Sequence, residues 1–125
     1  MGSSFVICDR ESGYAAALAA FLMRKKELAF QIQVCSTAKQ AEAIANDRPV
    51  DILLISEDCP FQERKRISAE NVFVLTESGQ TRTEEGEIPL YRYQSGEALL
   101  AEVIQNCGQE LKTAGELFLQ KKRQN

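Results

Sequence analysis

The sequence predicts a doubly wound α/β domain, a five-stranded parallel sheet with helices on both faces. Three observations predict it: continuous apolar runs, two alternating apolar–polar segments, and helical apolar spacing between them. The continuous runs are Phe5-Val6-Ile7-Cys8, D-I-L-L-I over residues 51–55, and Val72-Phe73-Val74-Leu75. With no polar face, these suit central strands covered on both sides. The half-polar segments, residues 30–34 and 90–93, suit the edges. Right-handed crossovers then give the strand order 2-1-3-4-5.

The elements follow in chain order. Phe5 to Cys8 forms strand one and runs into the polar loop Asp9-Arg10-Glu11. Tyr14, Leu18, Phe21 and Leu22 recur at helical spacing, and Arg24, Lys25 and Lys26 close that helix as its dipole prefers. Phe30, Ile32 and Val34 alternate with Gln31 and Gln33 in strand two. Ser36 is placed to cap a second helix with the stripe Ala41, Ile44 and Ala45, and Pro49 stops it. After strands three and four, Leu90-Tyr91-Arg92-Tyr93 is a weaker strand beginning near Pro89, as an edge tolerates. Ser95 caps a long last helix with Leu100, Val103, Ile104, Cys107 and Leu111 on one face, its second half weakened by Gly108 and Gly115. Residues 78–87 (S-G-Q-T-R-T-E-E-G-E) have no apolar residue to bury, so the helix expected after strand four is reduced or missing. The whole is a flavodoxin-like arrangement.

Composition excludes much. The 125 residues make one ordinary domain. With 15 Lys+Arg against 18 Asp+Glu, the net charge is −3 and a nucleic-acid partner is not expected. His is absent, which removes imidazole metal sites and His-dependent triads. Cys8, Cys35, Cys59 and Cys107 form no C-x-x-C pair, so they are expected to be reduced, mostly buried thiols. The longest near-continuous apolar run, residues 14–23, is too short to span a bilayer, no signal peptide is visible, and a cytoplasmic location is expected. Neither a P-loop nor a dinucleotide fingerprint occurs. The Arg64-Lys65-Arg66 run reads as a solvated helix face.

In such a sheet the site lies beyond the carboxyl ends of the strands. Asp9, Arg10 and Glu11 fall there after strand one, Ser56, Glu57 and Asp58 after strand three, Thr76 after strand four and Arg92 near the end of strand five. An acidic cluster with a hydroxyl and a cation suits Mg²⁺ and a phosphoryl group, and equally a merely wet loop cluster.

The order F-V-I-C-D-R-E, D-I-L-L-I-S-E-D-C-P, V-F-V-L-T and L-Y-R-Y resembles the response-regulator receiver domain, the CheY-like fold, from residue 5 to about 107. The resemblance implies two metal-binding acids after strand one, where this chain has Asp9 and then Arg10. It implies a phosphoaccepting Asp ending strand three, four residues before a Pro; Pro60 is present, but the position holds Ser56. Thr76 matches the family's hydroxyl residue, Arg92 replaces its Lys, and Pro89 stands where its aromatic is usual. Ser56 is a weak, neutral nucleophile without an adjacent base, and the remaining acids are too few for Mg²⁺. No metal or other cofactor is therefore expected, and Arg10 is expected to enter the old acid pocket and pair with Asp9, Asp58 or Glu57.

Tyr91-Arg92-Tyr93-Gln94-Ser95, with the acidic helix start and Leu-rich face after it, is similar to the amino-terminal atypical receivers of Tad-type pilus assembly proteins, the TadZ/CpaE family. That resemblance implies an atypical receiver over residues 1–107 and a helical extension or linker, residues 108–125, toward a downstream MinD/ParA-like ATPase domain. The leading expectation is a non-enzymatic, phosphorylation-independent interaction and localisation module. Its partners would be proteins, a second copy included, through Tyr91, Tyr93, Leu117 and Phe118. No nucleic acid, membrane insertion or obligatory small molecule is expected. Two alternatives stay open: a phosphoacceptor using Asp58 or Glu57, and a small-molecule sensor using the same crevice.

Overall fold

The computed structural model describes residues 3–78 and 83–107. Its strands are β1 (Ser4–Cys8), β2 (Gln31–Cys35), β3 (Ile52–Ser56), β4 (Asn71–Thr76) and β5 (Glu87–Tyr91). They pair in parallel in the order β2-β1-β3-β4-β5, as the hydrophobic patterning requires. The helices are α1 (Ser12–Met23), α2 (Ala38–Asp47), α3 (Phe61–Arg64) and α4 (Gly96–Gln105), with a 3₁₀ turn at Lys26–Leu28.

Two cores flank the sheet. Phe5, Ile7, Ile52, Leu54, Phe73, Leu75 and Leu90 pack on α1 and α4 through Leu18, Leu22, Leu100 and Val103. Alternate residues of the same strands, Val6, Cys8, Leu53 and Ile55, face α2 and α3 with Ala41 and Ile67. This is why strands β1 and β3 read as continuous apolar runs: every residue in each of them is buried.

Several details differ from the sequence expectation. Thr37, not Ser36, caps α2: its hydroxyl accepts from the Gln40 N–H while the Gln40 side chain accepts from the Thr37 N–H. That reciprocal box needs Gln at the fourth position, which fixes the register of the cap. Strand β5 starts at Glu87, earlier than expected, and carries Pro89 in its middle, an arrangement an edge strand tolerates. It stops at Tyr91, which leaves Arg92 and Tyr93 in the turn before α4. Helix α4 is capped by the Ser95 hydroxyl and ends at Gln105, with Cys107 buried just beyond. Leu111, Leu117, Phe118 and the whole 108–125 segment lie outside the described residues.

Among the described residues no helix separates β4 from β5. On β5, Ile88 and Leu90 face α1 and α4, so Glu87, Pro89 and Tyr91 alternate onto the opposite side. Gly86, at φ +89°, makes the turn into that strand, a conformation Gly adopts without strain. Arg64 is not solvated as its run of charges suggested. It is buried at the end of α3 and forms a two-pronged ion pair with Glu87, Nε to Oε2 at 2.8 Å and Nη2 to Oε1 at 2.9 Å. Its third nitrogen, Nη1, donates to the Cys59 carbonyl.

Candidate functional site at the carboxyl ends of the strands

Asp9 and Arg92, just past β1 and β5, and Ser56 and Thr76, which end β3 and β4, meet at one end of the sheet, and all four are buried. Asp9 follows β1 directly. Its Oδ1 accepts from the Glu11 N–H at 2.8 Å, which ties the carboxylate to the start of α1. Its Oδ2 lies 3.0 Å from Arg92 Nη2, with the side chains 2% and 1% exposed. Glu11 Oε2 adds a longer contact to Arg92 at 3.6 Å from the surface side.

Two rings hold the Arg92 guanidinium. Its central carbon lies 4.4 Å from the Tyr14 ring centroid and 5.7 Å from that of Tyr93. The Tyr14 hydroxyl donates to the Arg92 carbonyl at 3.2 Å, so α1 grips both ends of the residue. Burial works against charge on Arg92, yet Asp9 and Glu11 outweigh it and hold the guanidinium above its ordinary pKa. Burial pushes the Tyr14 phenol up as well, against the opposing pull of Arg92.

The cation inside the acid pocket is therefore Arg92, and not Arg10. Arg10 does pair with Asp58, at 3.4 Å, but on the rim, with side chains 77% and 50% exposed. A pair so exposed contributes little. Glu57 accepts from the Glu77 N–H and thereby links the loops after β3 and β4.

Neither hydroxyl is poised for group transfer. Ser56 Oγ accepts from the Asp58 N–H at 3.2 Å, an ordinary turn bond. Thr76 Oγ1 donates to the Leu90 carbonyl at 3.5 Å, turned toward β5. The residues do not fit Mg²⁺ either. One oxygen of Asp9 is held by a backbone N–H and the other faces a cation, while Arg10 and Ser56 occupy the places where acids would complete a hard-oxygen shell. Among the described residues no group of three or more Cys, Asp and Glu is placed to hold a metal ion.

Beside the ion pair, on the α2 side, a cleft of about 390 Å³ opens between β1, the start of α2 and α3. Cys8, Asp9, Ser36, Thr37, Ser56 and Cys59 contribute to its walls. No reading of the residues singled out Tyr14 as part of the site. Its signal was only a first-turn aromatic in the helix that follows Asp9.

No family model matches the chain, and no curated protein matches it. Among solved structures, the chain is similar to a receiver domain. That structure is the co-crystal structure of the Saccharomyces cerevisiae histidine phosphotransfer signaling protein Ypd1 and the receiver domain of its downstream response regulator Ssk1. The TM-score is 0.66 at 13% identity, over 81% of this chain and 86% of that chain. The fold is that of a receiver domain. Within this receiver fold, Arg92 stands in the turn directly after the last strand and Ser56 at the end of the central one. No helix among the described residues is long and apolar enough to cross a membrane.

Proposed function

We propose that the chain is a phosphorylation-independent, receiver-like module for protein interaction and localisation, non-enzymatic and cytoplasmic. We further assign it to the kind that precedes the MinD/ParA-like ATPase of Tad-type pilus assembly proteins. The observation that carries the reading is the buried Arg92–Asp9 pair, which already neutralises the carboxylate a metal would need, beside a serine at the acceptor position. A domain arranged this way presents one state of its surface, with no phosphoryl group to change it. The Tad-type assignment rests on Tyr91-Arg92-Tyr93-Gln94-Ser95. In that motif the Arg turns inward, both Tyr rings stay outside, and the Ser caps α4. The similar receiver domain was crystallised with a partner protein, which supports a binding role.

Incubation with acetyl phosphate and Mg²⁺ tests the reading. The intact mass is expected to stay unchanged; a gain of one phosphate within residues 56–58 overturns it in favour of Asp58 or Glu57 as acceptor.

The surface we assign to partners is the outer side of β5. Tyr91 and Tyr93 are 41% and 58% exposed and meet edge to face at 5.9 Å. Paired aromatic rings give large contact area at small entropic cost. Leu117 and Phe118, expected from the sequence to join this surface, lie outside the described residues; the occupant we assign to the surface is a second copy of the chain. Sedimentation at high concentration is expected to show wild type larger than Tyr91→Ala. Folded monomers of equal size would remove the homodimer.

A further inference from the structure

Cys8 ends β1, Cys35 ends β2, and the two are register partners across the parallel ladder. Neighbouring strands lie about 4.8 Å apart. A disulfide spans Cα separations of roughly 4.4–6.8 Å, so the backbone spacing is already suitable. Direction is suitable too: register partners on parallel strands point to the same face of the sheet, and both side chains lie in the α2-side core. Both are free, and Cys8 forms part of the cleft wall beside Ser36 and Thr37, the residues that follow Cys35.

We propose that Cys8 and Cys35 are a redox-reactive dithiol that hydrogen peroxide, entering through the cleft, closes to a disulfide fastening the edge strand β2 to β1. This stands apart from the receiver-like reading, because it uses neither Arg92 nor Ser56.

The closeness of the two thiols divides the labour. Its neighbour Cys35, together with burial, holds the Cys8 thiol well above the usual range. The same neighbour relation lowers the Cys35 thiol against the opposing effect of burial, so Cys35 is the sulfur that attacks. Its sulfur forms a bond to one peroxide oxygen as the O–O bond breaks, and the released hydroxide takes the thiol proton to leave as water. Cys35 is then a sulfenic acid. The Cys8 sulfur attacks the Cys35 sulfur, the S–S bond forms and the S–O bond breaks, and the hydroxyl departs as water with the Cys8 proton. Two thiols have lost two electrons and one peroxide has become two waters.

The other thiols are poorer candidates. Cys59 borders the same cleft, but burial and Glu63 raise its pKa, and its Sγ is engaged with the Pro60 carbonyl and Glu63 Oε2. Cys107 lies in the core on the opposite side of the sheet, pushed up to about 11 by burial.

The test treats the reduced, folded, full-length chain with hydrogen peroxide, blocks residual thiols with N-ethylmaleimide, and maps peptides without reduction. The expected product has lost two hydrogens, links residues 8 and 35, and reverts with dithiothreitol. Cys35→Ser is expected to abolish that product, and Cys8→Ser to leave a sulfenic acid at Cys35 that dimedone labels. The wild-type map decides even if a variant fails to fold. Both thiols recovered as maleimide adducts, a link to Cys59 instead, or a link formed only after unfolding in urea would each overturn the proposal.

Discussion

Replacing Arg92 with Met is expected to destabilise the domain by about 3–5 kcal/mol, the range for stripping one partner from a buried ion pair. Met keeps much of the volume, so the loss reports charge more than a cavity. It leaves Asp9, 2% exposed, with the Glu11 N–H as its remaining hydrogen bond. It also removes the cation from between the rings of Tyr14 and Tyr93. The effect should fall toward the lower end of the range. Although Arg92 Nη2 is 3.0 Å from Asp9 Oδ2, neither atom has an aligned hydrogen-bond partner among the described residues, nor does Arg92 Nε. Urea unfolding gives the number, and a double-mutant cycle gives its origin. Asp9→Asn added to Arg92→Met should recover much of the lost stability, because the uncompensated charge is gone. A loss below about 1 kcal/mol that adds simply to that of Asp9→Asn would mean the pair does not hold this end of the sheet together.

The sheet was legible because its central strands are covered on both faces, which forces D-I-L-L-I and V-F-V-L to be apolar at every position. The edges were legible from the alternation of Phe30, Ile32 and Val34. That no helix separates β4 from β5 among the described residues was legible because residues 78–87 offer no apolar face. The set of residues at the strand ends was legible from topology alone; the choice of cation was not. Arg10 and Arg92 both follow strands, but the Asp9 N–H bonds the Cys35 carbonyl and the chain then turns outward, carrying Arg10 to the rim. Arg92 leaves β5 at a turn whose N–H is held by the Thr76 carbonyl, with Tyr14 bonding its own carbonyl, and its side chain lies inward. Those bonds join residues far apart in the chain, and no local pattern announces them. The Cys8–Cys35 pairing was hidden for the same reason: it exists only in the register of β1 against β2.

Arg64 was misread because a run of three cations looks like a wet surface, and its partner lies 23 residues away. With no helix between β4 and β5 among the described residues, something else must cover the start of β5 on that side. A short helix ending in a long, forked cation can reach it. Glu87 accepts both prongs and also the Glu84 N–H at 3.0 Å, so the turn before β5 is fastened to α3 through one carboxylate.

That arrangement predicts both a large mutational effect and a direction in pH. Burial opposes the charge on Glu87, but the hydrogen bonds from Arg64 and the Glu84 N–H outweigh it and lower its pKa below the ordinary carboxylate value. A carboxylate whose pKa is lower folded than unfolded stabilises the fold above its unfolded value, near 4.5, and that contribution is lost as pH falls through the folded value. Glu87→Gln is therefore expected to cost about 3–5 kcal/mol near neutral pH, since it leaves Arg64 buried and charged without its counter-ion. The gap between wild type and variant should narrow on acidification below that value, because the wild-type carboxyl then becomes neutral as well. Arg64→Met should show the same convergence from the other partner. Urea midpoints of the three proteins, measured from neutral pH down to the acid limit of folding, supply the comparison. A gap that stays constant with pH would show that the loss comes from packing around Glu87 and not from its charge.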